Sequence, residues 1–432
     1  MAVKRLPRYP KPFTLDTLED VKTYIVKLHQ ALEQEGTLRL QDFQETEAGG
    51  VTDHGLLTGL SDDDHSGYLL ANGTRNLTGY AATLQAASLI TKGPWHDVRA
   101  YGADGSGDDR AGVQAAIDAA ELAGGGRIYI PPDTYTIGSP GLTIEGPNIS
   151  LVGDGVASCL KLAAGANCSL LRLDGATTVD WHIANLLLDG TKASNTYGHG
   201  IYLDLDTAGD CRGYIDHVMI QDCAEDGVYL PVNHDTRFIK FNNVQTRRCV
   251  GSGMYLDGGT DHYLTMCESN NNAKHGYYWR SGGTHMANCC ASQNGTANQQ
   301  IYYGFHAKAA QSSLVGCTAL DNRWHGIYLD GHSIVVSGCV VETSGYQSTY
   351  GDPVGIYVNN TRAVITGNRS HDPAATATKR QKYGLKIGTG WWGNVIVGNN
   401  FYGNLVAAIN CTALHRTQNV IHLNHDDTAG NL

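Results

Sequence analysis

Four acidic side chains in the middle of the chain could together hydrolyse a glycosidic bond. They are Asp204, Glu225, Asp226 and Asp257. Such hydrolysis needs two carboxyl groups, about 5–5.5 Å apart when configuration is retained or about 6.5–9.5 Å apart when it is inverted. Strands of a sheet lie about 4.8 Å apart, so equivalent residues two strands apart are separated by about 9.6 Å. Asp204 and Asp257 would then just fit an inverting pair, and Asp226, or less naturally Glu225, could replace one of them.

Aromatic and charged side chains recur at regular spacing around these carboxylates. A tyrosine ring can pack against a sugar while its hydroxyl bonds to water or to the sugar. The candidate binding residues are Tyr202, Tyr229, Tyr255, Tyr278, Tyr328, Tyr357, His275, Arg280 and Asp330. Tyrosine is also enriched in subunit interfaces, where ion pairs would link Asp257, Arg280, Lys308 and Asp330. The sequence leaves a binding face and a subunit interface open as alternatives.

A lyase would need different residues. It requires a base beside a uronate and a cation that neutralises the uronate carboxylate, for which the candidates are Lys308, Arg280 and His275. We favour a hydrolase over a lyase, and the sequence leaves open whether the chain is an enzyme at all. It contains no calcium-binding loop and no phosphate-binding loop. We therefore expect no cofactor and no metal site, and we interpret His54 and His65 as turn or capping residues.

A repeat gives these residues their spacing. Gly-Ile-Tyr-Leu-Asp at 200–204 recurs in variant form, and its glycines are Gly200, Gly227, Gly253, Gly276, Gly304, Gly326, Gly355 and Gly384. A mean period of about 26 residues fits one coil of a three-sided parallel β-helix. Side chains alternate in a strand, so the apolar residues one and three after the glycine face inward and the residue between them faces outward. The coil at Gly276 fits less well, because Tyr277 and Trp279 must then lie inside; we expect a wider coil or a shifted register.

The cysteines follow the same repeat. Eleven cysteines are present, which is an odd number in a large chain. Cys267, Cys289, Cys317 and Cys339 each come three residues after an apolar residue, and Asn368 takes the equivalent position. We interpret this series as an internal ladder of buried thiols and not as a disulfide scaffold. Asn185 is expected at the same position near the start of the repeat.

The segment 98–137 predicts a helix followed by a strand. It reads VRAYGADGSGDDRAGVQAAIDAAELAGGGRIYIPPDTYTI, in which Asp108 or Asp109 can cap a helix at about 109–123. The helix would bury Val113, Ala116, Ile117 and Ala120 and so cover the open end of a β-helix. The segment resembles the start of the pectate-lyase-superfamily domain of phage tailspikes and related polysaccharide-acting proteins. The resemblance implies a right-handed parallel β-helix behind it, and it does not specify a reaction.

The first 92 residues differ from the rest. A seam of Leu18, Val21, Ile25, Leu28 and Leu32 predicts either an amphipathic helix or a short oligomeric stalk. Residues 53–79 read DHGLLTGLSDDDHSGYLLANGTRNLTG. This stretch resembles a segment common near the N-termini of phage tail fibres and spikes. The resemblance implies a trimeric virion appendage whose N-terminal part docks onto the particle.

Composition restricts the partners. A formal net charge of −11 disfavours nucleic acid and anionic membranes. There is no run of 18 apolar residues, so we expect no membrane span. The basic N-terminus is not followed by an apolar segment, so we expect no signal peptide.

Together these patterns predict an all-β, right-handed parallel β-helix of about ten or more coils, assembled as a trimer. We expect an attachment segment at 1–50, a neck at 51–92 and the β-helix at 93–432, with regular coils at about 183–410. The expected function is a phage virion spike, assembled in the host cytoplasm, that recognises and degrades host surface polysaccharide as an endo-acting depolymerase. Its first 90 residues would bind other virion proteins. The alternative is a non-catalytic structural or receptor-binding spike.

Overall fold

The computed structural model describes residues 95–425 apart from 206–208, 233–235, 298–300, 347–350, 376–377 and 412–416. It also places Lys22 in a helix and two short antiparallel strands at Leu84–Gln85 and Ser88–Leu89. The chain divides into two units, Met1–Gly79 and Tyr80–Leu432, and the coils belong to the second. The seam at 18–32 and the histidines His54 and His65 lie outside the described residues.

Parallel strands at one position of successive coils form a sheet that we call the tyrosine wall. In the described part of the chain it has eleven strands, each hydrogen-bonded to the strands of the neighbouring coils. They are Leu142–Ile144, Leu171–Asp174, Ile201–Asp204, Val228–Leu230, Met254–Leu256, Tyr277–Trp279, Phe305–Ala307, Ile327–Leu329, Val354–Val358, Tyr383–Ile387 and Ala407–Asn410. The predicted all-β parallel β-helix is confirmed.

Two further walls complete each coil. The valine wall contains Trp95–Asp97, Gly126–Ile130, Ile149–Gly153, Lys240–Asn242, Tyr263–Thr265, His285–Ala287, Ser313–Val315, Val335–Ser337, Val364–Thr366, Val395–Val397 and Val420–His422. The third wall contains Asp133–Ile137, Ser158–Leu162, Gln245–Arg247, Glu268–Asn270, Cys290–Ser292, Thr318–Leu320, Val340–Glu342 and Arg369–His371. Two longer strands, His182–Asp189 and Tyr214–Gln221, run along both walls. A short pair, Gly209–Asp210 with Thr236–Arg237, lies outside the walls.

The chain bends from the valine wall to the third wall at one residue in the left-handed backbone conformation. Asn288 holds this position with φ 54°, and Gly316 and Gly338 hold it with φ 63° in the next two coils. Glycine adopts this conformation without a Cβ penalty, and asparagine tolerates it. Asn185 has φ 53° and occupies this bend. The prediction that Asn185 belongs to the cysteine series is therefore wrong, because that series occupies the residue after the bend.

The residue after the bend forms the expected internal ladder. Cys339 Sγ donates to the carbonyl of Leu314 in the preceding coil at 3.5 Å. Asn368 Nδ2 makes the same bond to Val336 at 2.9 Å. The ladder consists of Cys267, Cys289, Cys317, Cys339, Asn368, Asn399 and Asn424, all buried. All eleven cysteines are free, so the prediction of buried thiols in this ladder is confirmed.

The coil at Gly276 keeps the common register despite its large inward side chains. Tyr278 pairs with Tyr255 as in the other coils, so the expected alternative of a shifted register is wrong. Tyr277 and Trp279 are both fully buried. The Tyr277 ring stacks on that of Phe305 with centroids 4.9 Å apart. The core therefore accommodates these aromatic side chains without any slip between strands.

Helix α1, Arg110–Leu122, packs against the first strands of the β-helix. It buries the predicted stripe of Val113, Ala116, Ile117 and Ala120. Asp108 accepts the backbone N–H of Arg110, the first residue of the helix, at 3.0 Å. Asp109 is buried and accepts backbone N–H groups of the preceding loop and of Thr136, which links the helix to the third wall. Two short 3-10 helices lie at Val98–Tyr101 and Gly155–Ala157.

Candidate functional site

The outward residues at the centre of the tyrosine wall form what we call the tyrosine column. Its members are Tyr202, Tyr229, Tyr255, Tyr278, His306, Tyr328, Tyr357 and Lys386, each in register with the next. On both sides of each member lies an inward residue, buried in the core. Alternation along these short strands thus places one side chain of the column on the outside of each of these eight coils.

The rings of the column lie against one another. Tyr255 and Tyr278 stack with centroids 4.2 Å apart and planes 9° apart, and Tyr328 and Tyr357 stack at 5.2 Å. A ring face covered by the next ring cannot pack on a sugar. The half-buried Tyr255, Tyr328 and Tyr357 therefore offer their edges and hydroxyls instead, whereas Tyr278 is buried. Burial and the nearby Asp330 raise the pKa of Tyr328 to about 12, so its hydroxyl stays protonated at neutral pH. The column is therefore mainly a hydrogen-bonding surface.

Histidines precede the repeated glycine in three coils. Nδ1 of His275 accepts the N–H of Tyr303 at 3.1 Å, and Nδ1 of His325 accepts that of Val354 at 3.0 Å. His199 makes the equivalent bond to the next coil at 3.2 Å. Burial lowers the pKa of His275 and His325 well below the ordinary value. These two rings are therefore neutral with the proton on Nε2, which makes them hydrogen-bond donors.

The carboxylates of the expected inverting pair are each held by an arginine. Asp204 is ion-paired with Arg172 in the preceding coil. Asp257 is ion-paired with Arg280 in the following coil, with 2.8 Å between Nε and Oδ1. The register through Tyr229 keeps the two carboxylates two coils apart, as expected.

Glu225 and Asp226 meet at His199. The ring nitrogens of His199 lie 3.4 Å from a carboxylate oxygen of each residue. Asp226 also accepts the backbone N–H of Ser252 at 2.6 Å, and Glu225 accepts that of Gly198 at 3.0 Å. Both carboxylates therefore hold backbone of neighbouring coils, whatever chemistry they perform in addition.

His306 holds the position that is tyrosine in six other coils of the column, and it was not among the binding residues expected from the sequence. Neither of its buried ring nitrogens has a hydrogen-bond partner among the described residues. Nε2 lies 4.0 Å from Oδ2 of Asp330, and the ring meets those of Tyr278 and Tyr328 edge to face at 5.0 and 5.1 Å. Of the ion pairs expected from the sequence, the one between Asp257 and Arg280 is present, whereas Asp330 lies beside His306. A buried imidazole with unmet nitrogens is suited to receive a ligand hydroxyl.

A depression of about 420 Å³ lies near the C-terminal end of the column. It is lined by Tyr303, Trp324, His325, Tyr328, Tyr357 and Lys386, together with Gly351 and Asp352. The Lys386 amino group lies 5.5 Å from the ring centre of Tyr357, and the Trp324 ring lies 4.6 Å from that of His325. Tyr328 and Tyr357 were among the binding residues expected from the sequence, whereas Trp324 and Lys386 were not. A tryptophan directly before a repeated histidine is the signal that could have found the first.

The candidate residues do not form one centre. Asp204 and Asp257 belong to the coils at Gly200 and Gly253, whereas the depression belongs to the coils from Gly304 onward. Within 95–425, gaps excepted, no three His, Cys, Asp or Glu side chains are grouped so that they could hold a metal ion. None of the helices in the same ranges is long and apolar enough to cross a membrane.

Comparison with known proteins identifies relatives of the repeat. The family profile described as right handed beta helix region matches residues 199–370. Mannuronan C5-epimerase AlgE1 of Azotobacter vinelandii is 29% identical over 220 residues, which is 46% of this chain and 15% of that protein. Alginate lyase 7 of the same organism is 36% identical over 115 residues, 24% of this chain and 13% of that protein. The chain thus spans only a small part of the length of these relatives.

Solved structures share the fold at low sequence identity. The A-module of mannuronan C-5 epimerase AlgE4 from Azotobacter vinelandii superposes with a TM-score of 0.59 at 18% identity, covering 76% of this chain and 99% of that one. Tailspike protein 2 of Escherichia coli O157:H7 bacteriophage CAB120 gives 0.59 at 15% identity, covering 70% and 42%. Dettilon tailspike protein gives 0.55 at 15% identity, covering 76% and 70%. The chain is a right-handed parallel β-helix, similar in fold to an epimerase module and to phage tailspikes.

Proposed function

We propose that this chain is a spike of a bacteriophage virion that recognises and cuts a polysaccharide on the host surface. The observation that carries the proposal is the tyrosine column, which aligns hydroxyls, an imidazole and a lysine along one wall. From Tyr202 to Lys386 it spans seven coil steps, about 34 Å. A surface of that length suits an extended polymer better than a small molecule.

The similar proteins support a polymer as the ligand class. The matched relatives are named for mannuronan and alginate, and two of the superposed structures are tailspikes. In the proposed function the first 90 residues attach the spike to other virion proteins, and the β-helix meets the host. The spike is a homotrimer in this proposal.

For the cutting step we propose inversion by Asp204 and Asp257. Their separation of two coils, about 9.6 Å, leaves room for the attacking water. One carboxyl group would protonate the leaving oxygen while the other activates that water. Asp226 and Glu225 are the alternative partners, and their bonds to backbone make them the weaker choice.

Hydrolysis is favoured over elimination by the state of His275. A lyase base must have a free lone pair at the substrate. Nδ1 of His275 is occupied by the N–H of Tyr303, and Nε2 carries the proton. His275 can therefore donate a hydrogen bond but cannot accept the substrate proton, as a lyase base must. The carboxylates that a hydrolase requires are present.

Recognition by hydroxyls is tested with Tyr255→Phe. This change removes one hydroxyl and keeps the ring stacked on Tyr278. We expect binding of host capsule or lipopolysaccharide to weaken about 2- to 10-fold, the value of one hydrogen bond. Tyr263→Phe is the matched control, because Tyr263 is exposed on the valine wall. Equal binding by both variants and the parent would count against the column as the recognition surface.

Cleavage is tested with Asp204→Asn and Asp257→Asn on the same polymer. New reducing ends report hydrolysis or elimination, and the ultraviolet absorbance of an unsaturated sugar reports elimination alone. We expect reducing ends without that absorbance, and a loss of at least about a hundredfold in either variant. Asp216→Asn is the control, since Asp216 is an outward carboxylate of the valine wall. Parent-like rates in all three variants would remove Asp204 and Asp257 from the mechanism.

The second candidate function is a spike that binds polysaccharide without cutting it. The observation in its favour is that Asp204 and Asp257 are both ion-paired with arginine. A parent protein that binds the polymer but releases no new ends would establish this alternative.

A further inference from the structure

The outward face of the valine wall changes character along the β-helix. In its first coils this face carries Arg127, Lys240 and Asp216. From His285 to His422 its outward positions hold no carboxylate, lysine or arginine; all of these strands belong to the described residues. The outward residues there are His285, Ala287, Ser313, Val315, Val335, Ser337, Val364, Thr366, Val395, Val397, Val420 and His422.

The exposed valines of this stretch form what we call the valine strip. It consists of Val315, Val335, Val364, Val395 and Val420. The last four pair directly from one coil to the next, so they lie in one line parallel to the β-helix axis. Their exposure ranges from 36% for Val395 to 56% for Val420. Exposed apolar residues that are contiguous, and not scattered singly, mark an interaction site where they belong to a larger uncharged face.

We infer that the valine strip is the centre of an interface between copies of this chain. Charge supports a second copy as the occupant. Each copy carries a net charge of −11, so copies repel one another where charged faces meet. The uncharged strip is a face on which identical chains can approach without bringing like charges together.

Geometry supports the same occupant. A strip parallel to the long axis lets copies align side by side around a common symmetry axis, with the same residues of every subunit facing that axis. Valine has a stiff side chain, so its ordering costs little entropy. These properties suit a contact between copies that repeats coil after coil.

The size of the strip shows that it is only part of the contact. From Val315 to Val420 it runs four coil steps, about 19 Å, and it is roughly 7 Å wide. A stable interface buries about 800 Å² on each partner. The strip therefore supplies the apolar core, and polar neighbours such as Ser337 and Thr366 belong to the rim.

This assignment bears on the two alternatives for the tyrosine wall. If the valine strip joins the copies, the tyrosine column is not required for assembly and stays open to a ligand. The inference does not depend on whether the chain cuts a polymer. It goes beyond the proposed trimer by naming the face through which the copies meet.

The test is the accessibility of a single new thiol in the intact chain. Val395→Cys places it on the strip, and Val250→Cys places it on an exposed valine outside the walls, 50% exposed. We expect a bulky hydrophilic maleimide to label the new thiol of Val395→Cys at least about tenfold more slowly than that of Val250→Cys, after subtraction of the parent's background. In denaturant the two rates should become equal. Equal rates in the native protein would overturn the inference, and this readout holds even if the N-terminal residues also associate.

A second measurement asks whether the strip contributes to assembly. Val364→Lys with Val395→Lys places two charges in its centre, and Val250→Lys is the control. We expect sedimentation velocity to show a shift to smaller species, or assembly only at higher concentration, for the double variant alone. A circular dichroism spectrum like the parent's establishes that it is folded. Protection of the strip only in assembled virions, with an open strip in the isolated protein, would assign it to another virion protein and refute the second copy.

Discussion

At the scale of single residues, one turn position carries a thiol in four coils and an amide in the three that follow. Both groups donate a hydrogen to a carbonyl of the preceding coil, which explains why Cys and Asn can replace one another there. Sulfur is the weaker donor, and its bonds in the ladder are longer than those of the amides. The cysteines are therefore part of the packing of the coil and not a reserve of reactive thiols.

We predict that few of the eleven thiols react in the native protein. Cys168, Cys290 and Cys411 are half-buried, and the other eight are buried. Burial raises the pKa of Cys290 to about 11, so even this thiol is rarely in the reactive thiolate form. Titration with an aromatic disulfide reagent should detect at most three thiols in buffer and eleven in denaturant. Rapid reaction of more than three in buffer would contradict the ladder.

Two tryptophans, one buried and one exposed, test the inward register of the coil at Gly276. Trp279 is fully buried and donates its indole N–H to Ser312 at 3.2 Å, whereas Trp392 is 55% exposed. We expect Trp279→Ala to lower the free energy of unfolding by about 3–5 kcal/mol. Trp392→Ala should change it by less than about 0.5 kcal/mol. Denaturant or thermal unfolding followed by circular dichroism measures both, and similar losses would show that the inward register at Gly276 is wrong.

At the scale of elements, helix α1 depends on a carboxylate that does not cap it. Asp109 accepts three backbone N–H bonds, from Asp104, Gly105 and Thr136, each at 3.0 Å. Asp109→Ala would leave these donors unpaired in a buried place, at a cost of roughly 2–5 kcal/mol. Asp118→Ala is the control, because Asp118 is exposed on the same helix.

The expected result is a lower melting temperature and faster hydrogen exchange in α1 for Asp109→Ala alone. Equal behaviour of the two variants would mean that the loop before α1 is held by other contacts.

The strands were predictable from the sequence where the residues of a single coil determine them. The alternation of Met254, Tyr255 and Leu256 specifies which side chain faces inward, and the structure agrees. The bend was harder, because two adjacent positions both accept asparagine; spacing alone placed Asn185 one residue away from its left-handed position. Contacts between coils, such as the stacking of Tyr255 on Tyr278, depend on side-chain rotamers that no single repeat encodes.

At the scale of the whole molecule, the β-helix presents different chemistry on different walls. The tyrosine wall carries hydroxyls, imidazoles and charged groups, and the C-terminal half of the valine wall carries none of the strongly charged types. The tyrosine column and the valine strip have the same origin, because a repeat places equivalent outward side chains of successive coils on one line. The line of tyrosines was predictable from the sequence because tyrosine recurs two residues after the repeated glycine. The line of valines was not, because valine is common on both sides of a strand.

The whole β-helix should lose stability in mild acid because it buries neutral histidines. Burial lowers the pKa of His262 to about 4, and it lowers the pKa of His275 and His325 well below the ordinary value. In the unfolded chain these rings take up protons near pH 6.5. Below that pH the unfolded state binds more protons than the folded state, so stability decreases as pH falls from about 6.5 toward 4. His262 alone accounts for up to about 3 kcal/mol of this loss.

We therefore expect the melting temperature to be lower at pH 5 than at pH 7.5, and the difference to shrink in His325→Gln. The glutamine amide can still accept the N–H of Val354 but cannot be protonated, so the variant loses one acid-sensitive group and keeps the bond between coils. His332→Gln serves as the control because His332 is exposed, and it should keep the parent's pH dependence. Scanning calorimetry across this pH range provides the measurement. A melting temperature that is constant or rises as the pH falls would show that the buried rings are protonated in the folded state.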